Sequence, residues 1–169
     1  MLQQTRVAIG LGSSKGDRLE FLRQAFARLR EDLFLDDPVP SAVFETPPWG
    51  GVAQGQFLNA AVVGLSDWKP PAILNYLKQL EQDLGRQQRE RNADREIDLD
   101  LLFYGDVLWT SEGIEVPHPA LAEREFVLLP LAQIAPDWKH PLLKKSVLDL
   151  LVEWQTSHTS TAKVFPQSL

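Results

Sequence analysis

Residues 85–104 read GRQQRERNADREIDLDLLFY, and the two halves of that stretch have opposite characters. Arg86, Arg89, Arg91 and Arg95 stand in a run whose one apolar residue is Ala93, and from Ile97 onward apolar residues alternate with Asp98 and Asp100. The first half reads as a mobile basic loop with too little apolar surface to fix one conformation. The second reads as a strand. Side chains alternate across a strand, so Ile97, Leu99, Leu101 and Phe103 are predicted to share a buried face while Asp98, Asp100 and Leu102 share the other. At about 3.3 Å rise per residue the two aspartate Cα atoms lie roughly 6.6 Å apart. Like charges that close repel unless a cation neutralises them, and hard carboxylate oxygens suit Mg²⁺, which takes one or two protein carboxylates plus phosphate oxygens. The neighbouring arginines would complete a polyphosphate site. The same pattern also describes a plain polar strand face beside a solvated charged loop, because so short a motif misfires often.

Ahead of this stretch, residues 6–11 (RVAIGL) read as a first buried strand, ended by Gly12-Ser13-Ser14-Lys15-Gly16-Asp17. The spacing Gly10, Gly12, Gly16 is neither a dinucleotide fingerprint nor a P-loop. Asp17 is a candidate N-cap for a helix over 18–32, with Leu19, Leu22, Phe26 and Leu29 on its core face. Residues 41–46 (SAVFET) and 57–65 (FLNAAVVGL) read as strands, and the loop of Pro, Gly and Gln between them is long enough to suggest function. Within it Trp49 is either a packed anchor or a stacking surface for a flat ligand, packing being the commoner role. Pro70 and Pro71 open a second helix whose stripe Ile73, Leu77, Leu80, Leu84 ends at Gly85. Glu81, in its last turn, is either solvated or turned towards Arg86 and Arg95.

Beyond Tyr104 the pattern predicts a hairpin over 107–116, a short helix over 125–134 bent by Pro130, and an amphipathic helix over 146–154. After Ser157 the tail lacks a pattern and is expected to fray. The order strand, helix, strand, strand, helix, strand predicts a ferredoxin-like β-α-β-β-α-β core, mostly antiparallel, with added helices making a three-layer α/β/α sandwich. A doubly wound sheet is disfavoured, because a crossover helix is missing between the second and third strands.

The 169 residues fit a single domain with its own core. Cysteine is absent, so disulfides, thiolate chemistry and Cys-ligated zinc are excluded. The N-terminal apolar run is too short for a signal peptide and no stretch matches a membrane span, so a cytoplasmic protein is the expectation. The net charge of −6 argues against a broad nucleic-acid surface. Any polyanion site must be local, and 86–95 carries four arginines against Glu90 and Asp94.

Several segments together resemble the 6-hydroxymethyl-7,8-dihydropterin pyrophosphokinases of folate synthesis. They are Gly12-Ser13 to Gly16-Asp17, Thr46-Pro47-Pro48-Trp49-Gly50, Phe57-Leu58-Asn59-Ala60-Ala61, Gly85-Arg86, Arg95 with Asp98-Leu99-Asp100-Leu101-Leu102, and Val116-Pro117-His118-Pro119. The resemblance implies transfer of pyrophosphate from ATP to the hydroxymethyl group of a reduced pterin, releasing AMP, with two Mg²⁺ ions. It also implies that Asp98 and Asp100 hold the metals and that Arg86 and Arg95 act on the ATP phosphates. Glu81, His118 and Arg124 would belong to the nucleotide side, and Thr46, Pro47, Trp49, Phe57, Asn59 and Phe126 to the pterin pocket. A monomer acting on these small molecules, without nucleic acid or membrane, is expected.

Four positions depart from the family pattern. Gln88 replaces an arginine, Asn92 stands where Trp is frequent, Asp94 stands where Pro or a small residue is usual, and Ser14 replaces Asn. Asp94 lacks the ring that would order the loop, so Asp94→Pro is expected to raise kcat/KM about two- to tenfold. Two other classes compete. An RNA-binding domain shares the sheet plan but needs exposed aromatics where this strand offers Asp98 and Asp100; a ligand-binding regulatory module would lack turnover.

Overall fold

The computed structural model describes residues 3–32, 34–48, 55–91, 93–111 and 113–169. Strand β1 (Thr5–Ser13) lies near the middle of the sheet. It pairs along its whole length with β4 (Phe57–Ser66), from Thr5 opposite Ser66 to Ser13 opposite Leu58, and on its other side with β5 (Asp98–Tyr104). Beyond β4 lie β2 (Asp36–Pro40) and β3 (Phe44–Thr46), which pair with different parts of it, and β8 (Lys163–Val164), which pairs with β3. The path β5-β1-β4-β3-β8 is antiparallel throughout.

Helices α1 (Arg18–Glu31) and α2 (Pro70–Asp83) cover one face. Asp17 caps α1 by accepting from the Glu20 N–H, and the buried stripes Leu19, Leu22, Leu29 and Ile73, Leu77, Leu80 pack on Val7, Ile9, Leu11, Leu58, Leu99 and Leu101. Helices α3 (Glu125–Ile134) and α4 (Val147–Ser157) cover the other face over Ala8, Ala61, Val63, Leu102 and Phe103. These are the three layers expected. A hairpin of β6 (Trp109–Ser111) and β7 (Ile114–Val116) stands beside the main sheet. Among the described residues no helix is long and apolar enough to cross a membrane.

Three readings are corrected. Phe103 does not share a face with Leu99 and Leu101: the register slips between Ala8 and Ile9, so Phe103 pairs Ala8 while Leu101 pairs Ile9. The extra residue, Leu102, breaks the alternation, and Leu102 and Phe103 both join the α3–α4 side. Strand β2 escapes the pattern because its sequence DDPVP holds two prolines and two aspartates. The tail after Ser157, expected to fray, returns to the sheet: Lys163–Val164 extends it, and the Phe165 N–H donates to Val43 O at 2.8 Å.

Candidate active site

Glycines on the central strand set the floor of the site. Gly12 lies between Asp98 on β5 and Asn59 on β4, and Gly10 between Asp100 and Ala61. A Cβ on Gly12 would come within 2.9 Å of Asn59 Oδ1. Glycine at both positions lets the carboxylates of β5 and the amide of β4 face one another over a trough two strand spacings, roughly 10 Å, wide. Arg124, Phe126 and Val127, at the start of α3, line the same cavity, which is partly open to solvent. Glycine inside a strand was the signal for this floor, and a search for phosphate-loop spacing passes over it.

At one end of the trough the charges are dense. Asp98 Oδ1 accepts from Arg86 Nη1 at 3.1 Å and from Arg95 Nη1 at 3.2 Å. Arg86 also forms an ion pair with Glu81, whose Oε1 accepts from the Leu99 N–H at 2.7 Å. Glu81 is therefore not solvated: it is buried against β5, and burial pushes its carboxyl up to about 7 despite Arg86. Asp100 is also raised, first by burial and then by the charge of Asp98. In both groups a cation at the site would favour the charged form. Arg89 is engaged elsewhere, in a two-bond pair with Glu96 at 2.8 Å each that holds the Glu96 carboxyl down at about 2.

At the other end polar atoms are few. Asn59 Nδ2 donates to Thr46 Oγ1 at 2.7 Å, both side chains being buried, and this leaves Asn59 Oδ1 over Gly12. Thr46, Pro47 and Phe57 continue the wall. The stems of the loop joining β3 to β4 are fastened by Arg18, which pairs with Glu45 at 2.9 Å and donates to Gln56 O at 2.8 Å. Sequence reasoning passed over Arg18, because its partners lie far along the chain.

The structure thus brings Thr46, Pro47, Phe57, Asn59, Arg95, Asp98, Asp100, Arg124 and Phe126 onto one cavity, with Arg86 and Glu81 reaching it through Asp98. His118 lies in an adjoining groove with Asp100, Thr110 and Glu115. Its Nδ1 accepts from the Ala120 N–H at 3.3 Å, and burial together with Arg124 pushes its pKa down to about 4. The imidazole is neutral, with its other nitrogen a donor. Trp49 and Asn92 lie outside the described residues.

Among the described residues no group of three His, Asp or Glu side chains could hold a metal by itself. Two adjacent carboxylates without a third fit Mg²⁺ carried on phosphate oxygens better than a resident all-protein site.

The model of the 7,8-dihydro-6-hydroxymethylpterin-pyrophosphokinase family matches residues 8–136. The chain belongs to this family. It is 36% identical over 147 residues to the 2-amino-4-hydroxy-6-hydroxymethyldihydropteridine pyrophosphokinase of Aquifex aeolicus, covering 87% of this chain and 91% of that one. It is 37% identical over 137 residues to the folic acid synthesis protein FOL1 of Dictyostelium discoideum, covering 81% of this chain and 20% of that protein. In fold it is similar to wild-type HPPK-DHPS of Plasmodium falciparum, with a TM-score of 0.72 at 14% identity, over 91% of this chain and 45% of that one. The chain therefore spans less than half of that structure and a fifth of the Dictyostelium protein, and the whole of neither.

Proposed function

We propose that this protein is a 2-amino-4-hydroxy-6-hydroxymethyldihydropteridine diphosphokinase, transferring pyrophosphate from ATP to 6-hydroxymethyl-7,8-dihydropterin in folate biosynthesis. The observation that carries the reading is the glycine-floored trough, with Asp98 and Asp100 on one side and Asn59 on the other. A flat bicyclic ring fits between Phe57 and Phe126, and the Asn59 amide recognises its edge. The substrate hydroxyl then points across β1 towards the carboxylates.

The hydroxyl oxygen attacks the β-phosphorus of ATP. The new O–P bond forms as the bond from that phosphorus to the α–β bridging oxygen breaks, AMP leaves, and the hydroxyl proton passes to solvent. Two Mg²⁺ ions, when bound, neutralise phosphate charge and sharpen the acidity of the hydroxyl. Asp98 and Asp100 are the residues that would hold them. Arg86 and Arg95, now neutralising Asp98, turn to the phosphates once that carboxylate is otherwise engaged, and no covalent nucleophile is needed. Glu81 keeps Arg86 within reach. Arg124, on the main cavity, and the neutral His118, in the neighbouring groove, serve the nucleotide. A single-domain monomer in the cytoplasm, acting without nucleic acid or membrane, is the proposed working form.

Incubating the protein with MgATP and the reduced pterin and following AMP separates the readings. Pterin-dependent AMP release is expected; binding without release would indicate a regulatory module, and tight binding of single-stranded RNA in its place an RNA-binding domain.

A further inference from the structure

Three chain segments meet at Asp94. Its Oδ1 accepts a hydrogen bond from the Gly55 N–H at 3.2 Å. A Cβ on Gly55 would lie 2.9 Å from Ser14 O and 3.3 Å from Asp94 Oδ1, so these segments pack too closely for a side chain there. The next residue, Arg95, is fixed from the β1 side. Its carbonyl accepts from the N–H groups of Ser14 and Lys15 at 2.9 and 3.1 Å, and its own N–H donates to Ser14 Oγ at 3.0 Å. Gly55 lies two residues before Phe57, and Gln56 between them is held by Arg18. Phe57 and Arg95 line the same cavity from its two ends. The hydrogen bond from Gly55 to Asp94 therefore joins the segment that carries the aromatic wall to the segment that carries the arginine.

We propose that Asp94 is a positioning residue that couples the two substrate subsites. By holding Gly55 it makes the seating of a pterin against Phe57 and the placement of Arg95 at the phosphates mutually dependent. The inference rests on the pyrophosphokinase reading. Coupling of this kind is reciprocal: each ligand tightens the other by the same factor. The role reverses the expectation for Asp94→Pro, because proline removes the acceptor along with the charge, and kcat/KM is expected to fall.

The test compares the wild type with Asp94→Ala, which removes the acceptor, and Asp94→Asn, which keeps an oxygen in its place. Pterin affinity is measured by titration calorimetry with and without a non-hydrolysable MgATP analogue, and amide exchange at Gly55 is measured on the ligand-free proteins. In Asp94→Ala the ratio of the two affinities is expected to fall about three- to tenfold towards one, and Gly55 to exchange faster. Asp94→Asn should stay within about twofold of the wild type on both measures. A wild-type ratio of one, an unchanged ratio in Asp94→Ala, or an Asn variant as impaired as the Ala variant overturns the proposal. Failure of the wild type to bind either ligand would instead sink the pyrophosphokinase reading, and unaltered Gly55 exchange in Asp94→Ala would then still overturn the tie between the segments.

Discussion

The two ends of the cavity are made of different materials. Around Asp98 partners are shared: one carboxylate oxygen serves two arginines, and one of those arginines also serves Glu81. Around Asn59 a single buried pair, Asn59 with Thr46, sits among apolar walls. In the proposed function the first end exchanges partners, the guanidiniums that neutralise Asp98 moving to phosphates when a cation takes their place. The second end, in that same proposal, needs no such exchange. Charge chemistry gains from groups that can be handed over, whereas recognition of a flat ring gains from groups that do not move.

The contrast is broken or sharpened most forcefully at the charged end. Asp98→Ala and Asp100→Ala are each expected to lower kcat at saturating Mg²⁺ by about a thousandfold or more, an effect of about 4 kcal/mol or more on the barrier. Thermal stability should hold, and for Asp100→Ala it should rise slightly, because burial and Asp98 disfavour the charged form of that residue. Near-native turnover in either variant would show that the carboxylates form no more than a polar strand face.

At the quiet end the expected effect is smaller and confined to one ligand. Asn59→Ala strands Thr46 and removes the amide edge, which should cost about 1–3 kcal/mol of pterin binding while leaving ATP affinity unchanged. Calorimetric titration with each ligand decides it. Equal losses for both would mean that the two ends are not separable and that the variant has damaged the sheet.

How legible each end was in the sequence follows from the range of its contacts. Asp98, Asp100, Arg86 and Arg95 lie within fifteen residues of one another, so alternation and local charge already single them out. The apolar spacing of α1, α2, β1 and β4 was equally local. What escaped was assembled across the chain: Arg18 against Gln56, and Ser14 against Arg95. Strand β8 pairs two residues with a partner more than a hundred positions earlier, and no pattern in so short a segment predicts that. The arginine loop, judged by its lack of apolar residues, looked unanchored. It is anchored by polar groups instead, Arg89 to Glu96 and Asp94 to Gly55.

His118, in the groove beside the charged end, offers a test by pH. Its pKa is about 4 in the fold against an ordinary value of 6.5, so between those values the unfolded chain binds a proton that the folded chain refuses. Its contribution to stability is complete above about pH 6.5 and is lost as the pH falls towards 4. Glu81 and Asp100, both raised, slope the other way over part of that range, but they are common to both proteins in a comparison with His118→Asn. Asparagine keeps an acceptor for the Ala120 N–H and does not titrate. The stability difference between wild type and variant, followed by melting from pH 7.5 to 5, should shift against the wild type by up to about 2 kcal/mol, or about 4–8 °C. A difference independent of pH would show that the imidazole is not held neutral.

The smallest expected effect belongs to Arg18, at the N-terminus of α1 and remote from the phosphates. Its guanidinium spans the two stems of the β3–β4 loop, reaching Glu45 before it and Gln56 after it. Both groups of the ion pair are partly exposed, so the Coulomb term contributes only about 0.2–1 kcal/mol. The hydrogen bond to Gln56 O adds about as much, since that carbonyl can turn to water when the side chain is removed. Arg18→Ala is therefore expected to lower the melting temperature by a few degrees, about 2–4 °C, and to raise the KM for pterin about two- to threefold through looser seating of Phe57. The KM for ATP should rise less, since it feels the stem only through the tie of Gly55 to Asp94, and kcat should not change. Arg18→Lys keeps the charge but lacks the planar fork that serves two partners at once, so it should restore part of the stability and little of the KM. Steady-state kinetics with each substrate varied in turn gives the answer: a fall in kcat as large as the rise in pterin KM would mean that the stems of this loop govern the charged end as well, and the division between a mobile end and a fixed one would have to be redrawn.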